Sequence, residues 1–174
     1  MGVPYVPVRG LAGTDILARR TDMLIAHNPF NADEKDVVAR AINPDVAICH
    51  AIKADKSGNS IFRRGGDELL VAQASDKVIV TAEEIVGEVT AADPDGQFIS
   101  SLNVTAVVHA PHGAHPAGVP GKYEMDRGHI NEYIEAARSA EGFRAYLEKY
   151  VYDKTEADYQ SLVGIPAQEV AVVA

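Results

Sequence analysis

The chain has 174 residues, 47% of them hydrophobic, which is about the length of one domain and enough apolar material for a real core. Sixteen Lys and Arg against 25 Asp and Glu give a net charge of −9, and no basic cluster exceeds a pair, which argues against nucleic acid or an anionic membrane as a general partner. The single cysteine, Cys49, excludes an intrachain disulfide and a thiolate metal cluster and fits a reducing, cytoplasmic setting; no run approaches the ~18 apolar residues of a membrane span.

Pro4 and Pro7 favour an extended start, and Thr14 or Asp15 is placed to cap a short helix through Ile16, Leu17 and Ala18. Asp22 to His27 (DMLIAH) predicts a strand, followed by a turn at Asn28-Pro29-Phe30-Asn31. The segment from Asp33 to Ile42 fits either element: Val37, Val38 and Ile42 suit one helix face, while β-branched pairs also suit a strand. Asn43-Pro44-Asp45 is a further turn, because proline fixes φ and pushes the residue before it out of the helical region. The run Val46 to Ile52 that follows is nearly continuously apolar, the pattern of a parallel strand covered on both faces, interrupted by His50. At its carboxyl end lies the polar stretch Lys53 to Asn59, where open α/β sheets place ligand-binding groups.

Asp67, after Gly65-Gly66, is a candidate cap for a short helix through Leu69, Leu70, Ala72 and Ala74, and KVIVT (77–81) is the next strand. Asp93-Pro94-Asp95-Gly96 predicts a turn, and VTAVV (104–108) another buried strand. The loop from His109 to Lys122 is rich in Pro and Gly and needs packing to be ordered. Ile130, Tyr133, Ile134 and Ala137 repeat at helical spacing, as do Phe143, Tyr146, Leu147 and Tyr150, which predicts two amphipathic helices or one bent at Gly142. Residues 1–164 are expected to form a single α/β domain, with Tyr159 to Gly164 as a last docked turn and 165–174 as a frayed tail. Four strands with few helices between them make a thin sheet, so an incomplete one is expected.

Chemistry-bearing residues are sparse. His109, His112 and His115 in HAPHGAHP do not match a known zinc frame, and no metal is expected. Glu83 and Glu84, adjacent after KVIVTA, point to opposite faces if extended and so cannot act together as an acid/base pair. The plainest reading of His50 is a core histidine with a polar partner, that of Asp55, Gly58 and Asn59 a turn, and that of Cys49 a buried, inert thiol.

The order of five blocks says more: GVPYVPVRGLAGTD (2–15), NPDVAICHAIKADKSGN (43–59), KVIVTAEEIV (77–86), VVHAPHGAHP (107–116) and YEMDRGHINEYI (123–134). Together they resemble the A (alpha) subunit of family I coenzyme A transferases of the glutaconate and 3-oxoacid type, over Gly2 to about Gly164. Those subunits carry a further N-terminal α/β portion, so the chain resembles only their C-terminal part. The resemblance implies a three-layer, open, mostly parallel sheet with helices on both faces, incomplete without a partner chain. It implies a subunit of an enzyme that moves CoA between an acyl-CoA and a carboxylic acid through a glutamyl-CoA thioester. The nucleophilic glutamate then belongs to a partner B subunit, with no catalytic residue in this chain. Coenzyme A enters as substrate, with no other cofactor, and a separate N-terminal A-subunit portion is a further expected partner. Arg9, His50, Asp55, Asn59 and His115, the polar members of the matching blocks, are the expected substrate-pocket residues. Two alternatives stay open: a hydrolase subunit of the same fold that cleaves acyl-CoA or CoA-linked rings, and a non-catalytic structural subunit.

Overall fold

A computed structural model of the protein describes residues 3–173. Gly2, which opens the first matching block, and Ala174, the end of the expected tail, lie outside the described residues. The chain divides into two compact units, the first ending at Pro44 and the second beginning at Asp45.

The first unit is a three-stranded antiparallel sheet in the order β1-β3-β2, made of β1 (Tyr5–Val8), β2 (Met23–Asn28) and β3 (Asn31–Arg40), with helix α1 (Asp15–Arg19) between β1 and β2. Thr14 caps α1, its side chain accepting from the Leu17 N–H. The ambiguous segment at 33–42 is strand, because β3 is the central strand and pairs with both neighbours, Val37 facing Val8 on one side and Ile25 on the other. Tertiary pairing settles there what local propensity leaves open.

The second unit is built on β4 (Val46–Ala51), β7 (Lys77–Ala82) and β10 (Ala106–His109), parallel to one another in the order β10-β7-β4. Between β4 and β7 the chain forms β5 (Lys53–Asp55), β6 (Ser60–Phe62) and helix α2 (Glu68–Ala74). Strands β8 (Ile85–Val86) and β9 (Gln97–Ile99) complete a second, mixed four-stranded sheet in the order β8-β5-β6-β9. The α/β class therefore holds, with a parallel centre and antiparallel additions. Ala47, Cys49 and Ala51 of β4, Val78, Val80 and Ala82 of β7 and Val107 of β10 form one core with Phe62, Ala72 and Ile99. The expectation that β4 is covered on both faces is corrected: burial alternates along it, and Val46 and Ile48 on the outer face are 47% and 72% exposed.

The C-terminal region holds α3 (Arg127–Ala136), α4 (Ala140–Tyr150) and α5 (Glu156–Val163). Two helices form rather than one bent at Gly142: the break falls at 137–139, and Ser139 caps α4 by accepting from the Gly142 N–H at 3.0 Å. Gly142 is needed at that close approach, since a Cβ there would sit 2.7 Å from the Ala136 carbonyl oxygen. Helix α5 starts in a Thr155/Asp158 capping box and ends at Gly164 in the left-handed conformation. The segment expected to fray instead forms β11 (Ala171–Val172), antiparallel to β10, with the Val173 N–H bonded to the Val107 carbonyl at 2.9 Å. An open edge of β10 would leave backbone groups unpaired, and the tail closes it. No helix among the described residues is long and apolar enough to cross a membrane.

Candidate functional site

The parallel strands end together: Ala51 lies beside Ala82, and Ala82 beside His109. One residue beyond β7, Glu83 enters the interior with only 6% exposure. Its Oε1 accepts from His50 Nε2 at 2.6 Å and from the Tyr123 hydroxyl at 2.6 Å, and its Oε2 accepts from the His112 backbone N–H at 2.8 Å. One carboxylate thus ties β4, β7 and two points of the loop after β10. An ionised carboxylate only accepts, so His50 Nε2 carries a proton, while His50 Nδ1 faces Thr81 Oγ1 at 2.8 Å across the strand pair. Burial raises the Glu83 carboxyl, but the bonds from His50, Tyr123 and the His112 N–H outweigh it and hold the group below the ordinary carboxylate value. The Tyr123 hydroxyl is pushed up, by burial first and then by its hydrogen bond to Glu83.

Glu84 stays at the surface, its side chain 54% exposed and paired with Lys122. Between the two glutamates opens a cleft of about 300 Å³ lined by Glu83, Glu84, His109, Lys122 and Tyr123, with His112 and Gln168 completing its wall. Such clefts beyond the carboxyl ends of parallel strands are the usual ligand position in α/β sheets. A larger apolar cleft of about 390 Å³ lies in the first unit, lined by Tyr5, Leu24 and Val38 among others.

Of the residues expected from sequence, His50 alone is placed in the Glu83 network. Asp55, 3% exposed, accepts from the Ser57, Asn59 and Val89 N–H groups and from Asn59 Nδ2, and Asn59 Oδ1 accepts from the Ser101 N–H. These two residues hold a turn. His115 sits in a different cluster, Nδ1 against the Tyr159 hydroxyl at 2.7 Å and Nε2 against Asp126 at 3.3 Å, edge-on to His129. The His129 ring is held below its ordinary value by burial first and by His115 second. Arg9 is exposed in the first unit, just after β1. Cys49 is buried, which pushes its thiol up. No three His, Cys, Asp or Glu side chains among the described residues converge as a metal site.

Sequence reasoning missed the roles of Glu83, Tyr123, Thr81 and the His112 N–H. The one signal present was a glutamate at the carboxyl end of a buried parallel strand; its partners lie 29 to 40 positions away and share no local pattern.

The family model described as coenzyme A transferase matches residues 4–110. The chain belongs to the coenzyme A transferase family. It is 31% identical to the A subunit of the 3-oxoadipate CoA-transferase of Pseudomonas knackmussii, over 86% of this chain and 53% of that protein. It is 31% identical to the A subunit of the glutaconate CoA-transferase of Acidaminococcus fermentans, over 91% of this chain and 55% of that protein. A cholesterol ring-cleaving hydrolase subunit of Rhodococcus jostii is 28% identical over 97% of this chain and 60% of that protein. The crystal structure of the glutaconate coenzyme A-transferase from Acidaminococcus fermentans superposes with a TM-score of 0.83 at 29% identity, covering 94% of this chain and 57% of that one. This transferase-family chain thus spans about half the length of the curated relatives it matches.

Proposed function

We propose that the chain works as part of the A subunit of a coenzyme A transferase in the reducing cytoplasm, joined to a B subunit that brings the reactive glutamate. The reaction is covalent exchange in two halves. The partner's glutamate carboxylate attacks the thioester carbonyl of an acyl-CoA, giving a mixed anhydride and CoA thiolate. The thiolate then attacks the glutamyl carbonyl, the acyl group leaves as its carboxylate, and a glutamyl-CoA thioester remains. A second carboxylate runs the same steps in reverse and departs as the new acyl-CoA, regenerating the glutamate.

The observation that carries this reading is the family match over residues 4–110. The state of Glu83 supports the division of labour: a buried carboxylate with both oxygens already accepting hydrogen bonds is a poor nucleophile, and its role is to fix the loop that walls the cleft. Asp55, Asn59 and His115 serve through their internal bonds. Arg9 is proposed to contact a substrate carboxylate, because guanidinium binds carboxylate through a two-pronged fork, and Arg9→Ala should raise the KM for a dicarboxylic acyl-CoA in the assembled enzyme.

The test is co-purification with the B subunit, incubation with acyl-CoA, and borohydride, which reduces a glutamyl thioester to an alcohol. A mass change on the partner and none on this chain is expected; a label on this chain, or on neither, overturns the reading. The similarity to a ring-cleaving hydrolase subunit favours hydrolysis as the second reading, in which water takes the place of the acceptor acid. Acyl-CoA turnover with no acceptor acid present would select it.

A further inference from the structure

The geometry points to the cleft beyond β7 and β10 as a binding site for one carboxylate group, recognised by the His112 Nε2–H and the Lys122 ammonium. In the enzyme this is the carboxylate of the free acid, an assignment that rests on the transferase reading above.

His112 is held from four sides. Its backbone sits at φ +58°, in the left-handed region that non-glycine residues rarely adopt and that recurs at functional sites. Its N–H is bonded to Glu83 Oε2, and its ring stacks on Tyr123 with centroids 4.7 Å apart and planes 20° from parallel. The fourth restraint sets the proton: Gln168 Nε2, which can only donate, reaches His112 Nδ1 at 3.2 Å. Nδ1 is therefore the acceptor, and the ring proton sits on Nε2, which has no partner among the described residues. A rigid, strained, stacked imidazole with one free donor on a cleft wall is pre-organised for an acceptor ligand.

Lys122 supplies the charge. Its only ion-pair partner among the described residues is Glu84, whose side chain is 54% exposed. Pairs of that kind hold weakly against competing anions. A ligand carboxylate can take the place of Glu84 at the ammonium while its second oxygen accepts from His112.

The surrounding charges restrict the ligand to a single negative group. Glu83 and Glu84 both line the cleft, and a doubly charged phosphate would meet their repulsion, whereas one carboxylate merely substitutes for one already there. Two acceptor oxygens match two donors.

The test uses the 174-residue chain labelled with ¹⁵N at histidine, with the monocarboxylate butyrate as the probe and inorganic phosphate as the competing anion. The His112 ring should show the Nε2–H tautomer and shift on butyrate titration, with phosphate at the same concentration leaving it unmoved. His112→Asn keeps the backbone N–H and tolerates the left-handed backbone, and Lys122→Met removes only the ammonium; each should weaken butyrate binding by about tenfold or more, the scale of one hydrogen bond to a charged group. An Nδ1–H tautomer, a silent His112 ring, or an equal response to phosphate overturns the site. In the complex with its B subunit, the same variants should raise the KM for the free acid by about tenfold and leave that for acyl-CoA within about twofold. Failure of butyrate binding in an enzyme whose partner still forms the borohydride-trapped thioester removes this site alone, while butyrate binding without any thioester removes the transferase reading alone.

Discussion

Asp55 and Glu83 are buried carboxylates in the same unit, 3% and 6% exposed, and both lie below the ordinary carboxylate value because bonds from their donors outweigh the burial that opposes ionisation. Their partners differ. Asp55 takes three of its four bonds from Ser57 and Asn59, within four residues, and one from the distant Val89 N–H. Glu83 takes all three of its bonds from residues 29 to 40 positions away, on β4 and on the loop after β10. A carboxylate satisfied by its own turn closes a corner and leaves nothing to offer a ligand. One satisfied by distant elements shapes the wall of whatever cleft those elements enclose, and its partners, His50, Tyr123 and His112, stand at that wall.

The largest effect that tests this contrast is Asp55→Ala. It leaves the buried Val89 N–H and the more exposed Ser57 and Asn59 donors without their acceptor, and it should cost about 3 kcal/mol of unfolding free energy in a denaturant titration. The His112 ring signals should stay where they are. A variant that keeps its stability yet disturbs the cleft would break the comparison.

Glu83→Gln comes next, at about 2 kcal/mol, because the amide retains one acceptor but sets its NH₂ against a donor. It should move the ring signals of both His50 and His112. Its pH dependence has a definite sign. The Glu83 carboxyl is lowered in the folded chain, so between its ordinary and its folded value the unfolded chain binds a proton that the folded chain does not. Its stabilisation is complete above about pH 4.5 and disappears as the pH falls through the folded value. Wild type and Glu83→Gln should therefore differ equally at neutral pH and at pH ~5, and converge in urea melts as the pH falls through the folded value.

The same division decides what could be read from sequence. The turn at Asp55, the Thr14 cap, strands β4 and β7 and the two amphipathic helices announce themselves within a few residues, and all are found in place. Strand β3 and the tail strand β11 do not, because each exists through pairing with a strand remote in sequence. The bare outer face of β4 was hidden for the same reason: an apolar strand reads alike whether or not something covers Val46 and Ile48. His50 was legible as an oddity in an apolar run, but Glu83 read as one of two ordinary acidic residues, since nothing near it in sequence foretells Tyr123 or the His112 N–H.

The smallest effect separates a clamp from a merely buried group. Tyr123→Phe removes the hydroxyl that donates to Glu83 Oε1 and accepts from the Ala114 N–H at 3.2 Å, but it leaves the ring on which His112 stacks. Glu83 keeps its bonds from His50 and the His112 N–H, so the loss should be only about 1 kcal/mol. Combined with Glu83→Gln, the two losses should fail to add by about 1 kcal/mol, the coupling expected of groups in one hydrogen-bonded network. Paired instead with Asp55→Ala, whose network shares no partner with Tyr123, the losses should add to within about 0.5 kcal/mol. Additivity in the first pair would mean that Glu83 and Tyr123 are neighbours without being partners, and that the loop is held to the sheet by packing rather than by the buried carboxylate.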